Sequence, residues 1–187
     1  MRSLARFIIP GVALASWLAA GSAGAEEKYI CVWRNPERTM RRIFPQARDY
    51  RTVTRPISAA AVAAIEAKAG GPLLPGQREQ YQYYEMLDAG GKRLGAIIAA
   101  SQKGEYGAIE FVFGLDLSRS VNGIYIQRAR ERDGDFKKRE FLDSLLGRGP
   151  GDLKALDALI GEKRTTGKVA VVTGLKKELA AFAELAP

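Results

Sequence analysis

The fold is decided by residues 80–130, QYQYYEMLDAGGKRLGAIIAASQKGEYGAIEFVFGLDLSRSVNGIYIQRAR. Apolar and aromatic residues recur there at every second position, and turn-forming clusters break the run at regular intervals. Tyr81, Tyr83 and Met86 or Leu87 mark a strand over Gln80–Leu87, ended by Asp88-Ala89-Gly90-Gly91. Arg93–Ala100 returns, with Gly95 as a bulge or a point of close approach. After Gly104-Glu105-Tyr106-Gly107, Ile109, Phe111 and Phe113 alternate within Ala108–Leu117. Ser118–Asn122 turns the chain again, and Gly123–Arg130 closes the set with Ile124 and Ile126. Short strands joined by short turns predict an antiparallel meander with one face covered.

Helical patterns flank this centre. Asn35-Pro36-Glu37 reads as a capped helix start, followed by Met40, Ile43 and Phe44 at helical spacing and ended by Pro45. Asp49–Ile57 alternates as a short strand, and Ser58 caps a helix over Ala59–Ala69 that stops at Gly70-Gly71-Pro72. On the far side, Phe136–Leu146 is predicted helical, a second helix starts at Asp152 with Leu153, Leu156, Leu159 and Ile160, and a final one covers about Lys168–Leu185. The fold class expected is α+β: an antiparallel β-meander sheet packed by N- and C-terminal helices.

The first 25 residues read as a secretory signal peptide. Arg2 and Arg6 form its positive region, Phe7–Ala20 its apolar stretch, and Ala23-Gly24-Ala25 a small-x-small cleavage pattern. The expected organisation is therefore 1–25 signal peptide, 26–78 a helix and strand region packed on the core, and 79–187 the main domain. The expected location is the periplasm. The formal charge is +8, or +6 without Arg2 and Arg6, which favours anionic ligands or acidic partners. No nucleic-acid recognition motif accompanies that charge, so nucleic acid is not an expected partner.

Histidine is absent and cysteine occurs once, at Cys31. Ser-His-Asp and Cys-His catalysis, His-ligated zinc or haem, an iron–sulfur cluster and an internal disulfide are all excluded. No metal site is expected. Any redox chemistry must be carried by an organic cofactor.

One segment is built for an anion. Residues 161–182, GEKRTTGKVAVVTGLKKELAAF, run from a basic turn into an amphipathic helix. A helix start offers unpaired N–H groups and the positive end of the helix dipole. Hydroxyls of Thr165 and Thr166 can donate to phosphate oxygens, and Gly167 permits close backbone approach. Lys163, Arg164 and Lys168 supply charge. A capped helix start touching only water satisfies the same pattern. The stretch is not a P-loop, because the leading glycine and the Ser/Thr after the lysine are missing.

From Tyr84 to Phe182 the order of motifs resembles the FMN-binding domain of the flavin subunits of Rnf and sodium-translocating NADH:quinone reductase complexes, and of stand-alone exported proteins with that domain. The carrying residues are Gly95–Ile98, Gly107–Asp116, Val121–Ile126 and Phe141–Gly147, with Ile43–Ala47 similar to the N-terminal region of the stand-alone members. By this resemblance residues 79–187 form the FMN-binding-like domain. Glu131 and Gly134 take the acid and glycine positions of an E-T-P-G-L-G loop, while its Thr-Pro pair is missing. Thr165 falls at the threonine of an S-G-A-T turn that can bear FMN, with Glu162, Lys163 and Arg164 in place of Ser, Gly and Ala. Three large charged residues oppose covalent attachment there. The resemblance thus implies FMN held non-covalently rather than by a phosphoester on Thr165.

The implied cofactor-binding residues are Glu131, Gly134, Lys163, Arg164, Thr165, Thr166, Gly167 and Lys168, with no catalytic residue. The implied role is an electron carrier rather than an enzyme with its own substrate. Its expected partners are periplasmic or membrane redox proteins such as cytochromes or reductases. A flavin-free relative serving as a protein-binding or scaffolding module is the alternative.

Overall fold

A computed structural model describes residues 31–186. The signal-peptide reading falls on residues 1–25, outside the described residues. Five strands form one antiparallel sheet in the order β1-β2-β3-β4-β5. They are β1 (Asp49–Pro56), β2 (Gln80–Leu87), β3 (Arg93–Lys103), β4 (Ala108–Leu115) and β5 (Val121–Arg128). Helices precede and follow it: α1 (Pro36–Ile43), α2 (Ala59–Ala69), α3 (Arg139–Ser144) and α4 (Thr166–Leu185). The architecture is the expected α+β meander.

The sheet is covered on both faces, not one. On the first face Tyr83, Ile98, Phe111 and Phe113 pack under Val171, Val172, Leu175, Leu179 and Phe182 of α4. Each such fully buried apolar side chain contributes about 1.5–3 kcal/mol relative to exposure. On the second face Met86, Ile97 and Val112 meet Trp33, Met40, Ile43 and Phe44. Double coverage explains why β3 and β4 are buried at nearly every position.

Glycines let α1 lie close to the sheet. A Cβ on Gly114 would stand 2.3 Å from the Ile43 side chain, and one on Gly95 would stand 2.7 Å from the Phe44 ring. Gly95 also has a φ of 156° and pairs with Met86, beside the register shift at Met86/Leu87. It is the point of close approach that the sequence suggested.

The C-terminal helical patterns are cut shorter than expected. Phe136–Leu146 resolves into a 3₁₀ turn, Asp135–Lys137, and the short α3. The segment from Pro150 onward forms 3₁₀ turns at Pro150–Asp152 and Ala155–Ile160, where an α-helix starting at Asp152 was expected. Asp152 accepts a hydrogen bond back from Gly149 N–H at 2.8 Å, closing its own turn rather than capping a following helix. Asn35 sits at the start of α1 with φ 52° and makes no side-chain cap. Ser58 does cap α2, accepting from Ala61 N–H.

Candidate functional site

The basic turn begins where the last 3₁₀ segment ends at Gly161, with φ 70°. Arg164 N–H bonds to the Glu162 carbonyl at 3.0 Å and Thr165 N–H to the Lys163 carbonyl at 3.1 Å, folding the turn back on itself. Thr165 then adopts an extended conformation and caps α4. Its Oγ1 accepts from Lys168 N–H at 3.4 Å, and its carbonyl accepts from Val169 N–H at 3.0 Å. The N–H groups of Thr166 and Gly167 have no protein acceptor among the described residues, as a helix start dictates.

The 131–135 loop comes to this turn through one residue that the sequence reading did not single out. The Asp135 carboxylate accepts from Lys163 Nζ at 2.5 Å and pairs with Lys138 Nζ at 2.7 Å. Hydrogen bonds from Lys138 and then Lys163 hold its pKa down at about 2. Behind it, the buried Phe136 ring lies against Gly167, where a Cβ would stand only 2.2 Å away. The close approach that Gly167 permits is therefore made by Phe136.

The eight expected residues are placed unevenly. Thr165, Thr166, Gly167 and Lys168 form the capped first turn of α4, and Lys163 is joined to the loop. Arg164 is exposed, and its guanidinium has no protein partner among the described residues. Lys168 Nζ stands 5.6 Å from the Phe141 ring centre. Gly134 is exposed, and its carbonyl accepts from Lys137 N–H at 2.9 Å. Glu131 points elsewhere: its carboxylate accepts from Glu105 and Tyr106 N–H at 3.0 and 3.1 Å, fixing the turn between β3 and β4.

Beside Lys168 lies an open depression of about 340 Å³, bordered by Asp135, Phe141 and Leu159 among others. The unpaired Thr166 and Gly167 amides, the Thr166 hydroxyl, Arg164 and Lys168 are a donor set suited to a phosphate monoester. Phe141 and Leu159 offer apolar contact to a ring. Asp135 and Glu140 on the same border oppose an anion, and Lys138 and Lys168 offset their charge. On these grounds the residues fit FMN held through its phosphate.

Sequence reasoning missed Asp135 and Lys138; it reads Phe136 as a core residue, which it is, but not as the ring against Gly167. The spacing of Asp135 and Lys138 was the available signal, since residues three apart meet on one helical turn. It also missed Lys177 and Glu178, both buried farther along α4. There the signal was a pair of charges set among the apolar residues Leu175, Leu179 and Phe182.

No family model matches this chain, and no curated protein matches it either. Among the described residues there is no cluster of three or more His, Cys, Asp or Glu side chains that could hold a metal ion. No helix among them is long and apolar enough to cross a membrane.

Proposed function

We propose that this chain is an exported, periplasmic FMN-binding electron carrier that holds its flavin non-covalently at the start of α4. The observation that carries the proposal is the pair of amides at Thr166 and Gly167 without a protein acceptor among the described residues, in the first turn of a helix whose Lys168 borders a depression. Resemblance of the motif order to FMN-binding domains supports the choice of anion. When bound, the flavin supplies reversible electron transfer. The protein's own residues would hold it: Arg164 and Lys168 would neutralise phosphate charge, the Thr166 hydroxyl would donate to phosphate oxygens, and Phe141 and Leu159 would offer apolar contact. Excess positive charge suits acidic surfaces on redox partners such as cytochromes or reductases.

Titration of the full-length chain with FMN and with riboflavin tests this reading by fluorescence quenching. FMN is expected to bind at least about tenfold more tightly, since the two differ only in the phosphate. Replacing Lys163, Arg164 and Lys168 together with alanine should bring FMN down to the riboflavin level. Equal affinities in the wild type would remove the phosphate seat. Acid precipitation should release all of the bound flavin into the supernatant.

A second reading has its own observations. The Glu131 carboxylate is committed to the β3–β4 turn, Thr165 to the cap, and Gly167 to Phe136. Those commitments suit a flavin-free module that binds or scaffolds protein partners. Failure of both FMN and riboflavin to bind would favour it.

A further inference from the structure

The sheet comes apart between β2 and β3. The β1–β2 ladder runs from Asp49↔Leu87 to Pro56↔Gln80, and the β3–β4 ladder from Ala96↔Leu115 to Lys103↔Ala108. The β2–β3 ladder joins only Tyr84–Leu87 to Arg93–Ile97. Beyond it, Gln80–Tyr83 and Ile98–Lys103 diverge, each still held by its outer neighbour. The 3₁₀ turn Pro75–Gln77 stands beside the gap, where Gln77 Nε2 donates to the Ser101 carbonyl at 3.0 Å.

The gap holds a cavity of about 210 Å³. Leu73, Tyr81, Tyr84, Ala99 and Ala181 give it apolar walls, Gln77, Gln80 and Gln82 stand along its border, and Lys177 and Glu178 of α4 line it too. Glu178 is 9% exposed, and its carboxyl has neither a hydrogen bond nor an ion pair among the described residues. Tyr81 donates to the Glu178 backbone carbonyl at 3.3 Å and leaves the carboxyl free. Lys177 Nζ is engaged by Gln102 Oε1 at 3.2 Å. The carboxyl is not sealed inside protein: it opens on the cavity, a space that a small molecule with a matching polar atom can fill.

The chemistry of the lining selects the class of ligand. Burial raises the Glu178 pKa to about 8, against the opposing pull of Lys177, so at neutral pH the group is a carboxylic acid with an O–H to donate. Lys177 can only donate. A cation would face Lys177. An anion would lose its hydration among apolar walls, with one cation to receive it, already bound to Gln102. An uncharged acceptor meets neither penalty.

We propose that the cleft between β2 and β3 is a binding site for a small uncharged molecule with an apolar body against Leu73, Tyr81 and Ala181 and a carbonyl oxygen accepting from Glu178. The site lies about 18 Å along α4 from its first residue, from the helical rise. It does not rest on the flavin reading.

The test uses three probes of one shape on the full-length chain. They are acetophenone, ethylbenzene, which lacks the carbonyl, and benzylamine, which carries a charge. Binding is followed by NMR shifts of the Ala99 and Ala181 methyl groups. Acetophenone is expected to bind saturably below pH 8 and about tenfold more tightly than ethylbenzene, the worth of one buried hydrogen bond.

Its affinity should fall as pH rises through about 8. The groups facing Glu178 are Lys177 on α4, Tyr81 on β2 and Cys31 before α1, while Glu66 on α2 acts on Lys177. Burial pushes Tyr81 well above its ordinary range and Cys31 up to about 12, clear of that transition. Glu178→Gln keeps an N–H donor, so binding should persist and lose its pH dependence. Glu178→Leu should abolish the preference for acetophenone over ethylbenzene. Equal binding of ethylbenzene or benzylamine, a pH dependence that survives in Glu178→Gln, or no methyl shift with any probe would overturn the proposal.

Discussion

Beside the start of α4, two exposed lysines find one carboxylate; farther along it, a buried carboxyl has neither a hydrogen bond nor an ion pair among the described residues. Asp135 holds Lys138 and Lys163, whose side chains are 64% and 73% exposed. Glu178, within α4, borders a cavity, and its carboxyl has no hydrogen-bond or ion-pair partner among the described residues. Location governs the outcome. In water an ion pair forms easily and is worth little, whereas in the core an unpaired acid keeps its proton.

The largest effect is expected from breaking the buried contact beneath the surface charges. Phe136→Ala should cost about 3–5 kcal/mol in urea denaturation, because Phe136 is fully buried and fills the space against Gly167. A loss under about 1 kcal/mol would show that the 131–135 loop is held to α4 without this ring.

Glu178→Gln sharpens the contrast through pH. The unfolded carboxyl ionises near 4.5, while the native one keeps its proton to about 8. Between those values the unfolded chain binds fewer protons, so wild-type stability falls as pH rises and stays low above about 8. The glutamine variant lacks that fall. Its thermal midpoint should match the wild type near pH 4 and exceed it above the native transition. A constant difference at all pH values would mean that Glu178 keeps an ordinary titration.

Thr165→Ala should cost about 1 kcal/mol, the worth of a helix cap, measured by the same denaturation. A much larger loss would give the hydroxyl a role beyond Lys168 N–H.

The smallest effect belongs to Asp135→Asn. Native Asp135 titrates near 2 against 3.8 for the free group, so its contribution is present above pH 4 and is lost as pH falls through about 2. The variant should lack that part of the acid limb and change little at neutral pH. By freeing Lys138 and Lys163 it should also strengthen FMN binding, if phosphate is held there. Unchanged acid unfolding would mean that the lysines do not perturb Asp135.

Alternation over residues 80–130 was enough to read the meander, since the two-residue side-chain period of a strand is a local property, even where both faces turn out to be buried. The covering of its second face was harder to see. It depends on Ile43 and Phe44 meeting Gly95 and Gly114, contacts between residues far apart in sequence. The short C-terminal 3₁₀ turns escaped because apolar spacing does not separate a tight helix from an α-helix over six residues. At the candidate site, a capped helix start was legible from residue types, but not that Thr165 is the cap, because the helix was expected to begin only at about Lys168. The destination of Glu131 did not, because its partners are backbone amides of another turn. The cavity was invisible for a related reason: a ladder that stops halfway leaves no mark in a strand's composition.

Ile43 and Phe44 reach into hollows left by glycines in two central strands, and β1 closes one border of the same sheet. The amino-terminal portion is thus a lid and a hem at once. A fragment starting at residue 79 would present Met86, Ile97 and Val112 naked to solvent and leave β2 as a raw sheet edge, inviting self-association.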